Sequence, residues 1–193
     1  MGRRPLSDSL QERSFGKRAV FLDRDGVLNL PIIKDGLSYP PSRLEDFHLY
    51  PDVLDACRAL KQAGFLLVIA TNQPDVGRCN QKQAVVEAMH DYLLKQLPID
   101  LLEVCYHGGV RYSQPCHCRK PLPGMLLAAA QKEGILLSES WMVGDRWRDV
   151  DCGRNAGCKT IFIQRGYGEK LTQTPDYEVS NLSDAAELIL RLT

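Results

Sequence analysis

Ala19-Val-Phe-Leu-Asp-Arg-Asp-Gly-Val-Leu-Asn29 opens on four apolar residues and turns at once into two carboxylates that flank an arginine, with glycine behind them. A short unbroken apolar run reads as a strand buried on both faces, the kind found in parallel sheets covered by helices. In an open α/β sheet, ligands bind beyond the carboxyl ends of the strands. The Asp23-Arg24-Asp25 triplet therefore stands where a site is expected, and the rest of the chain can be judged by what it brings to the same edge.

Four further segments repeat the pattern. Phe65 to Ala70 reads as a strand ending at Thr71-Asn72, and Leu101 to Tyr106 as another. Trp141 to Val143 carries Gly144-Asp145 at its tip, with Asp149 four residues on; Thr160 to Ile163 follows, and Tyr177-Glu-Val adds a strand at the edge. Between them lie helix-period segments: Asp52 to Ala63 before Gly64, a helix capped by Asn80 and closed by Pro98, Pro123 to Gly134, a short helix to Ala156 before Gly157, and a last one capped by Ser183. Strands alternating with helices predict an α/β fold, a Rossmann-like three-layer sandwich with a mainly parallel sheet. The length of 193 residues suits one domain, assigned to 19–193, with 1–18 as a disordered basic tail. No insertion is long enough to fold as a separate cap domain. Two irregular stretches, Asn29 to Phe47 and His107 to Pro123, are expected to wall the site.

Composition narrows the function classes. Lys+Arg and Asp+Glu stand at 24 each, so no global field points to nucleic acid or a membrane surface. Arg3, Arg4, Arg13, Lys17 and Arg18 lack the apolar core of a secretory signal, and no apolar run approaches the roughly 20 residues needed to cross a bilayer. A soluble, cytoplasmic monomer is expected. An odd count of seven cysteines argues against a disulfide framework, and three of them cluster.

The inventory at the strand ends suits phosphoryl transfer. Asp23 and Asp145 can hold Mg²⁺ through oxygen ligands, which lets a carboxylate oxygen of Asp23 approach phosphorus as nucleophile. Lys120, the Thr71 hydroxyl and the Asn72 amide can stabilise charge on the phosphoryl oxygens. Asp25, two positions from the nucleophile, can protonate the leaving alcohol and then take a proton from the attacking water. Taken singly these pieces are ordinary: most Asp-x-Asp pairs are solvated turns or caps. Their joint placement at successive strand ends is what carries the reading. Separately, Cys105-Tyr-His107 and Cys116-His-Cys118 give C-x-H-x8-C-x-C, the donor set of a closed structural Zn²⁺ site. His117 could replace His107, although alternation in C-x-C turns it away. A bound ion would fix a loop that otherwise lacks support, and with it Arg119 and Lys120. The bland alternative is a group of reduced thiols packed as small apolar residues.

Phe21 to Asn29, Thr71-Asn-Gln73, Cys118-Arg-Lys-Pro121 and Val143 to Asp149 resemble the four motifs of the haloacid dehalogenase superfamily, from about Ala19 to Gly166. More narrowly they look like the branch of the heptose 1,7-bisphosphate 7-phosphatases and histidinol-phosphate phosphatases. The resemblance implies Asp23 as nucleophile, Asp25 as acid and base, and Mg²⁺ held by Asp23, the Asp25 main-chain carbonyl and Asp145. It further implies phosphate binding by Thr71, Asn72 and Lys120, with Gln73 beside them, support of metal or lysine by Asp149, and a zinc loop in which His107 is the histidine ligand. Three departures fall where the non-reacting part of a substrate should sit: Pro74 to Cys79 after Gln73, Arg146 where lysine is usual, and a longer segment after Asn29. Arg119, Arg146 and Arg78 could receive a second phosphate there. The substrate class implied is a small phosphorylated metabolite, a sugar bisphosphate ahead of an amino alcohol phosphate. A non-catalytic phosphate-binding module is the reading of another class.

Overall fold

The computed structural model describes residues 16–34, 37–114, 116–168 and 170–193. Six strands, all parallel, make the central sheet: β1 (Ala19–Leu22), β4 (Leu66–Asn72), β5 (Leu101–Cys105), β6 (Trp141–Gly144), β7 (Lys159–Ile163) and β8 (Tyr177–Val179), in the order β5-β4-β1-β6-β7-β8. Phe21 stands between Val68 of β4 and Met142 of β6. Alternation along β1 sends Val20 and Leu22 to one face and Ala19 and Phe21 to the other. Helices α1 (Val53–Gln62), α3 (Gln83–Gln96) and α6 (Leu182–Leu192) close the first face with Leu60, Met89, Leu93 and Ile189. On the second, α4 (Gly124–Glu133) and α5 (Trp147–Ala156) pack Met125, Leu126, Ala129 and Cys152 against the sheet. Two-sided burial is why the strands read as unbroken apolar runs, and the three-layer sandwich is borne out, with no separate cap among the described residues.

The strand order places the site. From β1 the chain winds outward through β4 and β5, then crosses back to β6 and winds the other way through β7 and β8. The reversal lies between β1 and β6, and a crevice opens beyond such a switch point. Asp23 and Asp145 leave the ends of those two strands, and Asp23 donates its main-chain N–H to Val143 at 3.0 Å.

Several local expectations are corrected. Asn80 does not cap α3: its N–H and that of Gln81 donate to the Asp75 carbonyl, closing a separate turn after the short helix α2 (Pro74–Gly77), and Lys82 stands at the N-cap. Asn181 rather than Ser183 caps α6, its side chain accepting from Asp184 N–H at 2.8 Å. The irregular stretch after Asn29 holds an antiparallel hairpin, β2 (Ile32–Lys34) with β3 (Leu37–Tyr39). Lys17 and Arg18 join the fold: Lys17 donates its N–H to Gly134 and its ammonium pairs with Glu133, while Arg18 lies over the Phe65 ring. The remainder of the tail reading falls on residues 1–15, outside the described residues. Among the described residues no helix is long and apolar enough to cross a membrane.

Candidate active site

Three carboxylates and one ammonium meet at the β1/β6 crevice. Lys120, only 2 % exposed, reaches from the loop before α4 and places its Nζ 2.8 Å from Asp23 Oδ1, 2.7 Å from Asp149 Oδ1 and 2.7 Å from the Ala70 carbonyl. Burial alone would favour the neutral amine, but Asp149 and Asp23 outweigh it and hold Lys120 above the ordinary lysine value. Burial and the charge of Asp149 push Asp23 up to about 6 against the opposing pull of Lys120. Asp145 feels a lowering pull from Arg146 and Lys120 too, but a weaker one than the opposing effects. Both its carboxylate oxygens are buried without a hydrogen-bond partner. Burial, then Asp23, then Asp149, raises its pKa well above the usual carboxylate range.

The approach of these groups depends on absent side chains. Gly26, at φ +92°, lets Asp145 lie against the Asp23 loop, where a Cβ would collide with the Asp145 carboxylate. Gly144 likewise leaves room for the Asp149 side chain. Donor oxygens of Asp23, Asp145 and Asp149 come within 4.8 Å of one another. A buried carboxylate with two orphaned oxygens among further carboxylates is the donor set a hard divalent cation requires, so the residues fit Mg²⁺. The Asp25 carboxylate stands outside this cluster, and its expected part in cation binding rests on the main-chain carbonyl alone.

Asp25 is held from every side. Arg24 Nη2 donates to both its oxygens at 3.0 and 2.9 Å, Asn29 Nδ2 to Oδ1 at 3.0 Å and Gln73 Nε2 to Oδ2 at 2.8 Å. Burial would raise the pKa of Asp25, but Arg24, Gln73 and Asn29 together hold it below the usual value.

The second cluster forms at the end of β5. Cys105 Sγ lies 3.6 Å from Cys116 Sγ and 3.6 Å from His107 Nδ1, and Cys118 Sγ lies 3.3 Å from the same nitrogen. Tetrahedral Zn²⁺ with bonds of ~2.3 Å to sulfur and ~2.0 Å to nitrogen requires about 3.8 Å between sulfurs and about 3.5 Å from sulfur to nitrogen. The donors fit, and His107 rather than His117 completes them. Of the other cysteines, Cys57, Cys152 and Cys158 are buried and Cys79 is exposed. Over the carboxylate cluster opens a cleft of about 350 Å³ lined by Asp23, Asp25 and Lys120 and by Arg78, Arg119, Arg146 and Arg148.

The HAD-hydrolase-like family model matches residues 117–185. The chain is 38% identical over 191 residues to the D-glycero-D-manno-heptose-1,7-bisphosphate 7-phosphatase of Thermosynechococcus vestitus, covering 89% of this chain and 94% of that protein. To the D-glycero-beta-D-manno-heptose-1,7-bisphosphate 7-phosphatase of Escherichia coli K12 it is 33% identical, over 89% of this chain and 93% of that one. This chain belongs to the heptose-bisphosphate phosphatase family of HAD-like hydrolases. The crystal structure of D,D-heptose 1.7-bisphosphate phosphatase from B. bronchiseptica, complexed with magnesium and phosphate, superposes with a TM-score of 0.77 at 30% identity, covering 91% of this chain and 99% of that one.

Within this HAD-like hydrolase two of the expected phosphate-binding side chains are engaged by neighbouring residues. Asn72 spends both ends of its amide on the Lys120 main chain, donating to its carbonyl and accepting its N–H, each at 3.0 Å; it places the lysine. Gln73 bridges Asp25 and the Thr71 hydroxyl. Thr71, buried, accepts that bond and keeps its own proton to donate. Asp149 does support Lys120, and its other oxygen accepts the Arg146 N–H at the start of α5. The Arg146 guanidinium donates to the Ser38 carbonyl at 3.3 Å and lies over the Tyr167 ring; Arg119 donates to the His107 carbonyl at 3.3 Å. Sequence reasoning missed Arg148, Arg24, Asn29 and His90. A signal existed for the last: His90 falls on the apolar stripe of α3 with Val86, Met89 and Leu93.

Proposed function

We propose that this chain is a Mg²⁺-dependent phosphatase that removes the 7-phosphate of a D-glycero-D-manno-heptose 1,7-bisphosphate by way of a phosphorylated Asp23. One observation carries the chemistry: Lys120 bridges Asp23 and Asp149 while Asp145 stands beside them with both oxygens unsatisfied. Mg²⁺ held by Asp23 and Asp145 supplies the charge neutralisation that lets two anions meet. An Asp23 oxygen attacks phosphorus, and the bond from phosphorus to the sugar oxygen breaks. Lys120 and the Thr71 hydroxyl lie where charge collects on the phosphoryl oxygens.

Asp25 gives a proton to the departing alkoxide. It then takes one from the water whose oxygen attacks phosphorus, breaking the bond to Asp23 and releasing inorganic phosphate. In the free protein Arg24, Gln73 and Asn29 keep Asp25 ionised, so the acid step needs a push toward protonation. An incoming phosphate, a like charge beside Asp25, pushes in that direction.

The four cleft arginines and the relatives' names support the bisphosphate. The amine of histidinol phosphate would want a carboxylate. Asp75, which lines the cleft, is 3.5 Å from Arg78, and Glu45 pairs with Arg43 at 3.5 Å. Zn²⁺ on Cys105, His107, Cys116 and Cys118 is proposed to brace the loop that delivers Arg119 and Lys120. Phosphate release from the heptose bisphosphate, the matching 7-monophosphate and histidinol phosphate, ranked by kcat/KM, tests the reading. The bisphosphate should lead, and no Mg²⁺-dependent release from any of them would leave only a binding module.

A further inference from the structure

Arg24 lies between the two catalytic aspartates in sequence, yet its side chain is wholly buried. It turns into the core beneath the end of β1 and comes back to its neighbour: Nη2 forks onto both oxygens of Asp25 at 3.0 and 2.9 Å. Nη1 is 3.0 Å from Nε2 of His90, and the guanidinium carbon sits 5.4 Å from the centre of the Phe47 ring. A guanidinium offers only donors, so His90 Nε2 accepts and the histidine is neutral, protonated on Nδ1. His90 itself is buried on the apolar stripe of α3, 66 residues away in sequence. A buried cation beside the nucleophile's loop is costly unless it has work to do. Its fork is planar and rigid, and its three neighbours leave it one orientation.

We infer that Arg24 and His90 form a positioning pair for the proton transfer at Asp25: His90 fixes the guanidinium, and the guanidinium fixes the plane and depth of the Asp25 carboxylate. Neither residue touches substrate. Asn29 and Gln73 grip one Asp25 oxygen each from the other side, so the carboxylate is clamped between the core and the cleft. Proton transfer needs donor and acceptor in hydrogen-bond reach of the leaving oxygen, and a side chain free to rotate would spend little time there.

The inference rests on the phosphatase reading and deepens it. Its test is the ratio of kcat/KM on two substrates, a sugar phosphate with an alkoxide leaving group and 4-nitrophenyl phosphate, whose leaving group departs without a proton. This constant covers steps only up to departure of the alcohol, so the later base step of Asp25 drops out of it. His90→Leu removes the acceptor, and Arg24→Lys keeps the charge but loses the fork. Both should lose about tenfold to a hundredfold on the sugar phosphate, part of what a positioned acid contributes, and less than about threefold on the aryl phosphate. His90→Gln, which retains an acceptor, should recover most of the sugar-phosphate rate. Equal losses on both substrates in folded protein, or no loss on the sugar phosphate in either variant, overturns the inference. Failure of the unmodified protein to release phosphate from either substrate overturns the phosphatase reading instead.

Discussion

Asp145→Asn should make the cation-free protein more stable while ending its turnover. Asp145 is 1 % exposed, both its oxygens lack a donor, and Asp23 and Asp149 stand close enough to raise its pKa. A buried polar group left unsatisfied costs about 1–3 kcal/mol, and more when charged. Asparagine keeps the shape, removes the charge, and turns an amide donor toward two carboxylates. Recovery of about 1–3 kcal/mol corresponds to a rise in melting temperature of roughly 2–4 °C per kcal/mol for a chain of this size. The sign with pH follows from the raised value. Asp145 binds its proton more readily folded than unfolded, so native stability is gained as pH falls through the folded pKa and lost as pH rises. The variant lacks this dependence, and its advantage should widen toward alkaline pH and close toward acid. Mg²⁺ should separate the two proteins: at a hundred times its dissociation constant it adds about 2.7 kcal/mol to a protein that binds it, and far less to the variant. Unfolding followed by circular dichroism, in chelator and in excess Mg²⁺, separates these effects. A variant that melts below the unmodified protein in chelator, or gains as much from Mg²⁺, refutes the argument that Asp145 is an unpaired carboxylate awaiting a cation.

Asp23→Asn should lower turnover at least a thousandfold with an unchanged fold, read by phosphate release and by loss of acid-stable, hydroxylamine-labile label from a ³²P-substrate; retained activity rules out attack by this carboxylate. Metal analysis should find about one zinc per chain. A chelator strong enough to strip it should loosen 105–118 and cut activity about a hundredfold, the loss that ~1 Å of misplacement at Lys120 would bring, and undiminished activity without zinc refutes the bracing role. Arg146→Ala should reduce kcat/KM for a bisphosphate by about 1.5–3 kcal/mol, the range for hydrogen bonds to charged groups. The 7-monophosphate should be affected far less, and equal losses remove Arg146 from the recognition of a second phosphate.

The sheet was legible because its strands are buried on both faces, which turns each into a short apolar run that little else in a soluble chain imitates. Val20, Leu22, Ala19 and Phe21 all had to be apolar, since each meets a helix layer. The hairpin at Ile32–Lys34 and Leu37–Tyr39 left no such mark, because it packs on neither layer and Ile33 and Tyr39 stay exposed. Caps misled for a related reason: Asn80 has the right side chain for a helix start, but the Asp75 carbonyl claims its N–H for a different turn. A cap is settled by competition between neighbours, and propensity describes only one competitor.

At the site, the strand ends named the residues but not their pairings. Strand-end topology offers Thr71 and Asn72 to a phosphate and the family resemblance adds Gln73, whereas in the structure Asn72 bonds the Lys120 backbone and Gln73 bonds Asp25. Topology fixes proximity to within several ångströms, and hydrogen bonding is decided within half of one. The pairing of Arg24 with His90 lies beyond reach for the same reason, since neither motif nor period links positions 24 and 90. One stronger signal was present. Gly26 follows the Asp23-Arg-Asp triplet and leaves out a Cβ that would strike the Asp145 carboxylate of the opposing segment, while Gly144 leaves out one that would strike the Asp149 side chain five residues on in its own segment. Two aspartates one residue apart state only that they share a strand end. The glycine behind the Asp23-Arg-Asp triplet marks a place where another piece of chain passes in contact, and that piece is the Asp145 tip.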